Sequence, residues 1–580
     1  MFKKEFKFDI AGKTIVFNWY SCIIFITVLL SLAFLLFRAK FGFCFNDEPF
    51  CVTLAQRLYQ GDALIVDEWH GTQLFSAVLL PFYAVFRLFS PDNEGILLAF
   101  RYVYCILWWI TCLTLYLRLS KHCKNAFLGF VYLILFSPLD YMTLSYTSFG
   151  LMSSVFIAYI IYFVSQCEER PKLSISVIFS VLWVVLVLSS PFMAISYVGL
   201  FFLAFVGYFI NKKKSVSFFY NTLYLYKFSI PIVCIAAFLF LYFFVISRTD
   251  ISEVVKNFPF ILLDPEHKSI NFIDSIKKTI KEFYFNYPVY MITSAVFFSC
   301  GLIFKSKIKQ IRGLMFLIVA GMFIYGQYLY LKSDLYPFNF QMAYVVVLGA
   351  VAFSLLKEKN YALFFSFYGF SFAYVLFNGV ASNTGVMATS MSMTVAGVVG
   401  IIFIAQLMNE LYKQYCHFSL LQFVNVAIVC SVLLFQGYSE LYVRLHRQYW
   451  DSPLPELNYE IQCGAAKGLI TTEHQALAYE TRFENLTHLI DMTDTDGKRF
   501  LSCTSAPYVY LDADLEFATF SAWTFGYGET LNDRVLQYQS VNPDQVPELV
   551  FCASNNDILP FVDDNYMTYS YNGSYLFVKK

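Results

Sequence analysis

Apolar and polar positions along this 580-residue chain segregate into long blocks rather than into the short periods of a soluble fold. Apolar runs fall near residues 17–37, 97–117, 125–142, 148–165, 173–189, 191–210, 228–247, 288–304, 313–331, 339–356, 361–378, 387–408 and 418–437. A helix needs about 17–25 such residues to cross a bilayer, and backbone in lipid must satisfy its own hydrogen bonds, which leaves helices as the form. The pattern predicts an α-helical polytopic membrane protein with about 13 transmembrane helices. The first run is too long for a signal-peptide core and is followed by no small-residue cleavage site, so it is expected to stay in place as a span.

Between the runs the pattern changes character. The connection 38–96 is long and amphipathic, and its QRLYQGD and FSAVLLPFYAVF segments predict two short helices lying in the membrane interface. The connection 248–287 mixes apolar, Lys and Asp residues and predicts another interfacial helix. From Ser439 onward the chain turns polar. Thr471 to Asp491 reads as a helix, Arg499 to Cys503 and Glu548 to Cys552 as short strands, with a helical stretch near Leu531 to Gln539 between them. The expected division is a membrane module, 1–438, followed by a small C-terminal α/β domain, 439–580.

Composition sharpens this. Charged residues make up 14% of the chain, against about a quarter in soluble proteins. The formal net charge of +0 gives no footprint for nucleic acid. Basic residues fall in alternate connections: Lys3, Lys4 and Lys7, then Arg118 to Lys124, Arg170 and Lys172, Lys212 to Lys214, Lys305 to Arg312, Lys357 with Lys359, and Lys413. The positive-inside rule places these in the cytoplasm and the C-terminal domain outside. Of the 14 Cys, most lie in apolar runs, where Cys acts as a small hydrophobe. Whether Cys44, Cys51, Cys463, Cys503 or Cys552 pair is open in the sequence. The seven His show no metal-ligand spacing.

This topology collects ionisable residues on one face. Asp47, Glu48, Asp67, Glu68 and His70 belong to the first outer loop, Arg101 enters the second span, and Asp140, Arg248, Lys332 and Asp334 lie at outer span ends. Charge at membrane depth is costly and usually faces a cavity or a partner. The bland readings are capping of a helix by Asn46-Asp47-Glu48-Pro49, snorkelling by Arg101, and solvated turns elsewhere.

The order of an acidic pair after the first span (Asp47-Glu48), an amphipathic helix, Gly61-Asp62, the segment Gln73 to Pro81, and Gly95 with Arg101 opening the second span resembles the C-type glycosyltransferase (GT-C) superfamily. Within it the likeness is to protein O-mannosyltransferases and the aminoarabinose transferase of lipid A. The tail segments KGLITT, SAPYVYLD, FSAW and NPDQVPELV are similar to tails of uncharacterised bacterial members. Where the mannosyltransferases carry a His-Pro-Pro-Leu-like segment this chain has His70-Gly71-Thr72-Gln73-Leu74, which leaves the donor sugar and any role of His70 open.

The resemblance implies transfer of a sugar from a polyprenyl-phosphate donor to an extracytoplasmic acceptor (a glycan, a lipid or a protein), with inversion, in a bacterial plasma membrane. Asp47 would be the general base, with Glu48 beside it in the catalytic pair. Arg101 and Arg248 would orient the loop and the donor phosphate, and Asp140 or Asp67 would supply a second carboxylate for acceptor or metal. A divalent metal, held by carboxylates, is compatible with this chemistry. The tail would cover the cavity or help bind acceptor. The competing readings are a transporter or flippase of lipid-linked saccharides, which calls for inverted repeats not visible here, and a polymerase, which calls for Arg and His in large mid-chain outer loops.

Overall fold

The computed structural model describes residues 5–10, 13–135, 142–210, 218–262, 273–274, 276–278, 280–281, 287–304, 311–331, 337–381, 386–414, 437–438, 441–442, 445–446, 451–495, 497–525, 527–562 and 564–580. The fold is that of a helical membrane protein with a small sheet region near its C-terminus. A hairpin of β1 (Glu5–Ile10) and β2 (Lys13–Asn18) precedes α1 (Trp19–Arg38). The connection to the next long helix carries α2 (Asp47–Gln60) and α3 (Ser76–Phe89). Then come α4 (Ile96–Leu119), α5 (Ala126–Leu135), α6 (Tyr146–Gln166), α7 (Leu173–Ser189), α8 (Met193–Ile210), α9 (Phe218–Leu241) and α10 (Ile251–Ile261). The bundle closes with α11 (Pro288–Ile303), α12 (Arg312–Leu331), α13 (Pro337–Leu355), α14 (Phe370–Ala381) and α15 (Val386–Gln414).

Seven of the described helices are long and apolar enough to cross a membrane, by length and composition. Each expected apolar run up to 387–408 meets a helix among the described residues, although part of 125–142 (136–141) lies outside them, as does almost all of 418–437. The peripheral helices α8 and α9 expose Leu203, Ile210 and Phe238, an all-round apolar surface suited to lipid. Helices α6 and α15 are buried in the centre. There α13 and α15 meet at Gly349 and Gly400: a Cβ on Gly349 would lie 2.4 Å from the Gly400 Cα, so only glycine allows this approach.

Three expectations need correction. Helix α9 begins ten residues before the apolar run at 228–247. Asn221, Thr222 and Lys227 lower the hydropathy of its first turns, but the first two are satisfied: Asn221 Nδ2 donates to the Cys167 carbonyl just beyond α6 at 2.9 Å and Thr222 Oγ1 to the Phe218 carbonyl at 2.7 Å. Helix α2 does not lie on an interface, because every residue from Glu48 to Leu58 is buried within protein. Helix α3 does present apolar surface, through Val85, Leu88 and Phe89. The helix expected from Thr471 starts at Glu473, because Thr471 is held in a strand and Thr472 caps the helix, its Oγ1 accepting from Gln475 N at 3.3 Å.

The C-terminal region is a small α/β unit, as the pattern predicted. Its elements are β3 (Tyr459–Glu460), β4 (Ile470–Thr471), α16 (Glu473–Asp491), β5 (Arg499–Ser502), α17 (Tyr508–Ala513), β6 (Glu516–Phe517), α18 (Leu531–Val541), β7 (Leu549–Cys552), β8 (Tyr566–Tyr571) and β9 (Ser574–Lys579). The five-stranded sheet runs β6-β5-β7-β9-β8, with β6, β5 and β7 parallel and β9 antiparallel to both neighbours. The chain leaves β5 first toward β6 and later returns to the other side as β7. That reversal opens a crevice at the carboxyl ends of the parallel strands.

This unit is not closed on itself. Trp69, from the connection between α1 and α4, is buried among Leu501, Phe520, Val535, Tyr538 and Val550 of the tail. Its indole N–H donates to Asn257 of α10 at 2.9 Å, its ring stacks on Phe260 at 4.7 Å, and the Arg534 guanidinium lies over it at 4.6 Å. The start of α4 is tied to the tail as well: Gly95 N donates to the Gly464 carbonyl at 3.0 Å and Leu97 N to the Ala465 carbonyl at 3.2 Å.

Candidate functional site

Helix α2 organises the charged residues, and it has two distinct ends. At its N-terminus Asp47 occupies the first turn, where the unpaired backbone N–H groups favour a carboxylate. Asp47 is half-buried, and the Cys44 thiol lies 4.0 Å from its Oδ2. Burial, with Asp47 and Glu48 nearby, pushes the Cys44 thiol well above its usual range, so it is a neutral neighbour. The preceding residue, Asn46, is 1% exposed, and neither atom of its side-chain amide makes a hydrogen bond within the protein. A buried amide of this kind is costly unless something satisfies it.

Glu48 points elsewhere. Its carboxylate takes a two-pronged contact from Arg101 on α4, with Nε at 3.0 Å from Oε1 and Nη2 on Oε2. The remaining Arg101 nitrogen, Nη1, donates to the carbonyls of Ala39 at 2.9 Å and Phe41 at 3.1 Å, just past the end of α1. Arg101 thus fastens three elements together. Contact of Arg101 with a phosphate, as the resemblance implies, would have to displace these bonds to protein. Likewise Glu48, expected as a second member of the catalytic pair, is committed to the ion pair.

The other candidates gather at the far end of α2, about 20 Å away for a helix of 14 residues. There Arg57 is buried and pairs with Asp62 at 2.7 Å and Glu68 at 2.9 Å, while donating to the carbonyls of Asp67 and of Thr519 in the tail. The two carboxylates hold its guanidinium above even the usual arginine range. Arg248 joins this end: its Nη1 donates to the carbonyls of Leu58 at 2.9 Å and Asp62 at 2.7 Å, satisfying the open C-terminal turn of α2. The Asp67 carboxyl accepts from Ala63 N at 2.6 Å and from Gln545 Nε2 of the tail at 2.9 Å. Burial, with Asp62 adding to it, pushes Asp67 up to about 7. Arg248 and Asp67 therefore do not share a site with Asp47; both brace the loop, and their separation along α2 is the reason. Asp140, Lys332 and Asp334 lie outside the described residues. His70 shares a hydrogen bond with Thr72 Oγ1 at 2.8 Å and packs edge-on against Phe50 at 4.8 Å, as a buried histidine of the loop core.

The segment joining α1 to α2 links Asp47 to the crevice of the tail. Gly42 N donates to the Ile470 carbonyl at 2.8 Å and Ile470 N to the Lys40 carbonyl at 2.7 Å, laying this segment along β4. Phe43 N donates to Asp451 Oδ2 at 2.7 Å, and the same oxygen accepts from Thr471 Oγ1 at 2.7 Å. Phe43 and Phe45 then line a cavity of about 1100 Å³ at the carboxyl ends of β5 and β7. Asp47 follows two residues later. None of this was read from the sequence: Asp451, Arg57 and the cavity are built from segments hundreds of residues apart. The alternation of Phe43 and Phe45 with Cys44 and Asn46 was the one local hint of a two-sided strand.

No family model matches. No curated protein matches the chain either. The resemblance carried by residues 43–102 therefore rests on those residues alone. Among the described residues no group of three or more His, Cys, Asp or Glu side chains could hold a metal ion.

Proposed function

We propose that the protein is a membrane glycosyltransferase of the GT-C type, of the protein O-mannosyltransferase and lipid A aminoarabinose transferase kind. It would take a sugar from a polyprenyl-phosphate donor and pass it to an acceptor outside the membrane. In this reading the chain has about thirteen spans, with its N-terminus cytoplasmic and its sheet domain extracytoplasmic. The observation that carries the reading is the state of Asp47. It is half-exposed at a helix N-terminus, two residues after Phe45, which lines a large cavity.

The chemistry follows from that carboxylate. An acceptor hydroxyl oxygen attacks the anomeric carbon of the donor sugar, and Asp47 takes the hydroxyl proton. The bond from the anomeric carbon to the phosphate oxygen breaks, and the polyprenyl phosphate leaves with the electron pair. Attack opposite the leaving group inverts the anomeric centre. The Glu48–Arg101 pair holds the first turn of α2 in place, so that the base is pre-positioned.

Purification in mild detergent followed by mass spectrometry should find a bound polyprenyl-phosphate sugar that is consumed by wild type on addition of acceptor membranes. The Asp47→Asn protein should bind the same lipid and turn it over slower by about 10²–10⁴-fold, the usual worth of a general base. Equal turnover by both proteins, or a lipid moved across liposomes without chemical change, would reject the reading, the latter in favour of a flippase.

A further inference from the structure

We infer that the cavity at the carboxyl ends of β5 and β7 is an oligosaccharide-binding site, and that it holds the acceptor as a neutral glycan chain. The role as acceptor site rests on the glycosyl-transfer reading; the binding chemistry does not.

The lining argues by what it offers. Its aromatic lining is of two kinds: Phe43, Tyr479 and Tyr508 form a buried cluster with ring centroids 5.0–5.7 Å apart, which makes a rigid backing, and Phe525 stands exposed. The exposed Phe525 ring suits the apolar face of a sugar. The rest offers hydroxyls, amides and carboxylates, among them Thr504, Ser505, Asn556 and Asp557, which pair with sugar hydroxyls as donors and acceptors at once. An apolar ligand would leave these groups unsatisfied on burial.

Other polar ligands fit less well. A nucleotide or phosphate at the end of a parallel strand needs glycines that let the backbone approach, at a helix N-terminus. The turn after β5 reads Cys503-Thr504-Ser505-Ala506-Pro507, with no glycine, and leads into a helix of six residues. The charge is also wrong for an anion: two carboxylates, Asp533 and Asp557, line the cavity against one guanidinium, Arg482, which already donates to the Tyr508 hydroxyl. An extended peptide would add to a sheet edge, but the sheet's edges are β6 and β8 while the cavity opens at strand ends. Its volume exceeds the roughly 300–1,000 Å³ typical of single small molecules, which favours several linked sugar units. Phe43 and Phe45 couple it to the reaction, because the same short segment runs directly into Asp47.

The test is direct binding, separate from transfer. The full-length protein in detergent is titrated with short oligosaccharides of neutral hexoses and N-acetylhexosamines, and in parallel with uronate-containing chains, inorganic phosphate and nucleoside diphosphates. Neutral oligosaccharides should bind, and Phe525→Ala and Asn556→Ala should each weaken them at least tenfold with unchanged melting temperature. Asp47→Asn should bind them as wild type does. Binding only of the anionic probes, neutral binding untouched by both cavity variants, or no saccharide binding at all would overturn the inference. Loss of transfer in Asp47→Asn without saccharide binding would sink the inference and leave the glycosyltransferase standing. Saccharide binding with transfer indifferent to Asp47 would do the reverse.

Discussion

Asp47 and Glu48 are neighbours in sequence and carry the same charge, yet the fold gives them different surroundings. Glu48 is locked to Arg101 and Asp47 is left half-exposed. Another acidic residue gives a prediction at the same scale. Asp67 is pushed up to about 7 by burial and by Asp62, whereas in the unfolded chain it ionises near ~3.9. Between these values the folded protein holds a proton that the unfolded chain has released. The contribution of Asp67 to stability is therefore full below about pH 4 and is lost as pH rises toward 7, by up to ~1.4 kcal/mol per pH unit. Asp512, also pushed up to about 7 by burial, adds a fall of the same sign. Unfolding of the detergent-solubilised protein by denaturant between pH 4 and 8 should show stability falling as pH rises, with a shallower fall in Asp67→Asn. Identical profiles for the two proteins would place the proton elsewhere.

At the scale of elements, α2 is a strut clamped at both ends. Arg101 fixes its first turn to α4 and to the end of α1, and Arg248 with Gly61, at φ 111°, finishes its last. Removing one partner of a buried ion pair strands the other charge, at about 3–5 kcal/mol. Arg101→Ala should accordingly lower the melting temperature sharply, with Glu48→Gln close behind. A small effect from Arg101→Ala would mean that Glu48 is not held as described. Much at this scale was legible beforehand, because helices in lipid and in a sheet domain announce themselves through long apolar runs, capping threonines and alternation. The β1–β2 hairpin was also written in period two, in Phe6, Phe8 and Ile10 and in Ile15 and Phe17, but its lysines drew attention to topology instead. What could not be read was how α2 is buried. Its composition is amphipathic, and only the tail folding over it turns an interfacial helix into an internal one. For the same reason Arg248 and Asp67 looked like site residues, since sequence brings outer loops to one side of a membrane without saying which end of a helix they reach.

For the whole molecule, the division at residue 438 marks a change of composition but not of packing. The tail's core is completed by Trp69, its sheet is bonded to the segment before Asp47, and its loop at 464–465 holds the start of α4. Trp69→Ala would open a cavity and free Arg534 and Asn257 of their partner. A loss of about 3–5 kcal/mol is expected, together with faster proteolysis within residues 451–580 and no change at the helices of the bundle. Cleavage of the variant at the wild-type rate would show that the tail holds together without the loop.

The insertion of Trp69 also sets an order on biosynthesis. The loop is made first, and the residues that bury its indole, from Leu501 to Phe577, follow it by more than 400 positions. Phe520 lies 520 − 69 = 451 positions downstream of Trp69, which at about 5–20 residues per second is roughly 20–90 s of synthesis. For that interval α2 has its Glu48–Arg101 clamp but no cover, and Arg57 lacks the Thr519 carbonyl. The ribosome must pass Phe577 before this loop can take its final form, so a message cut short between Trp69 and that point yields a bundle with an open, sticky face rather than a smaller working protein.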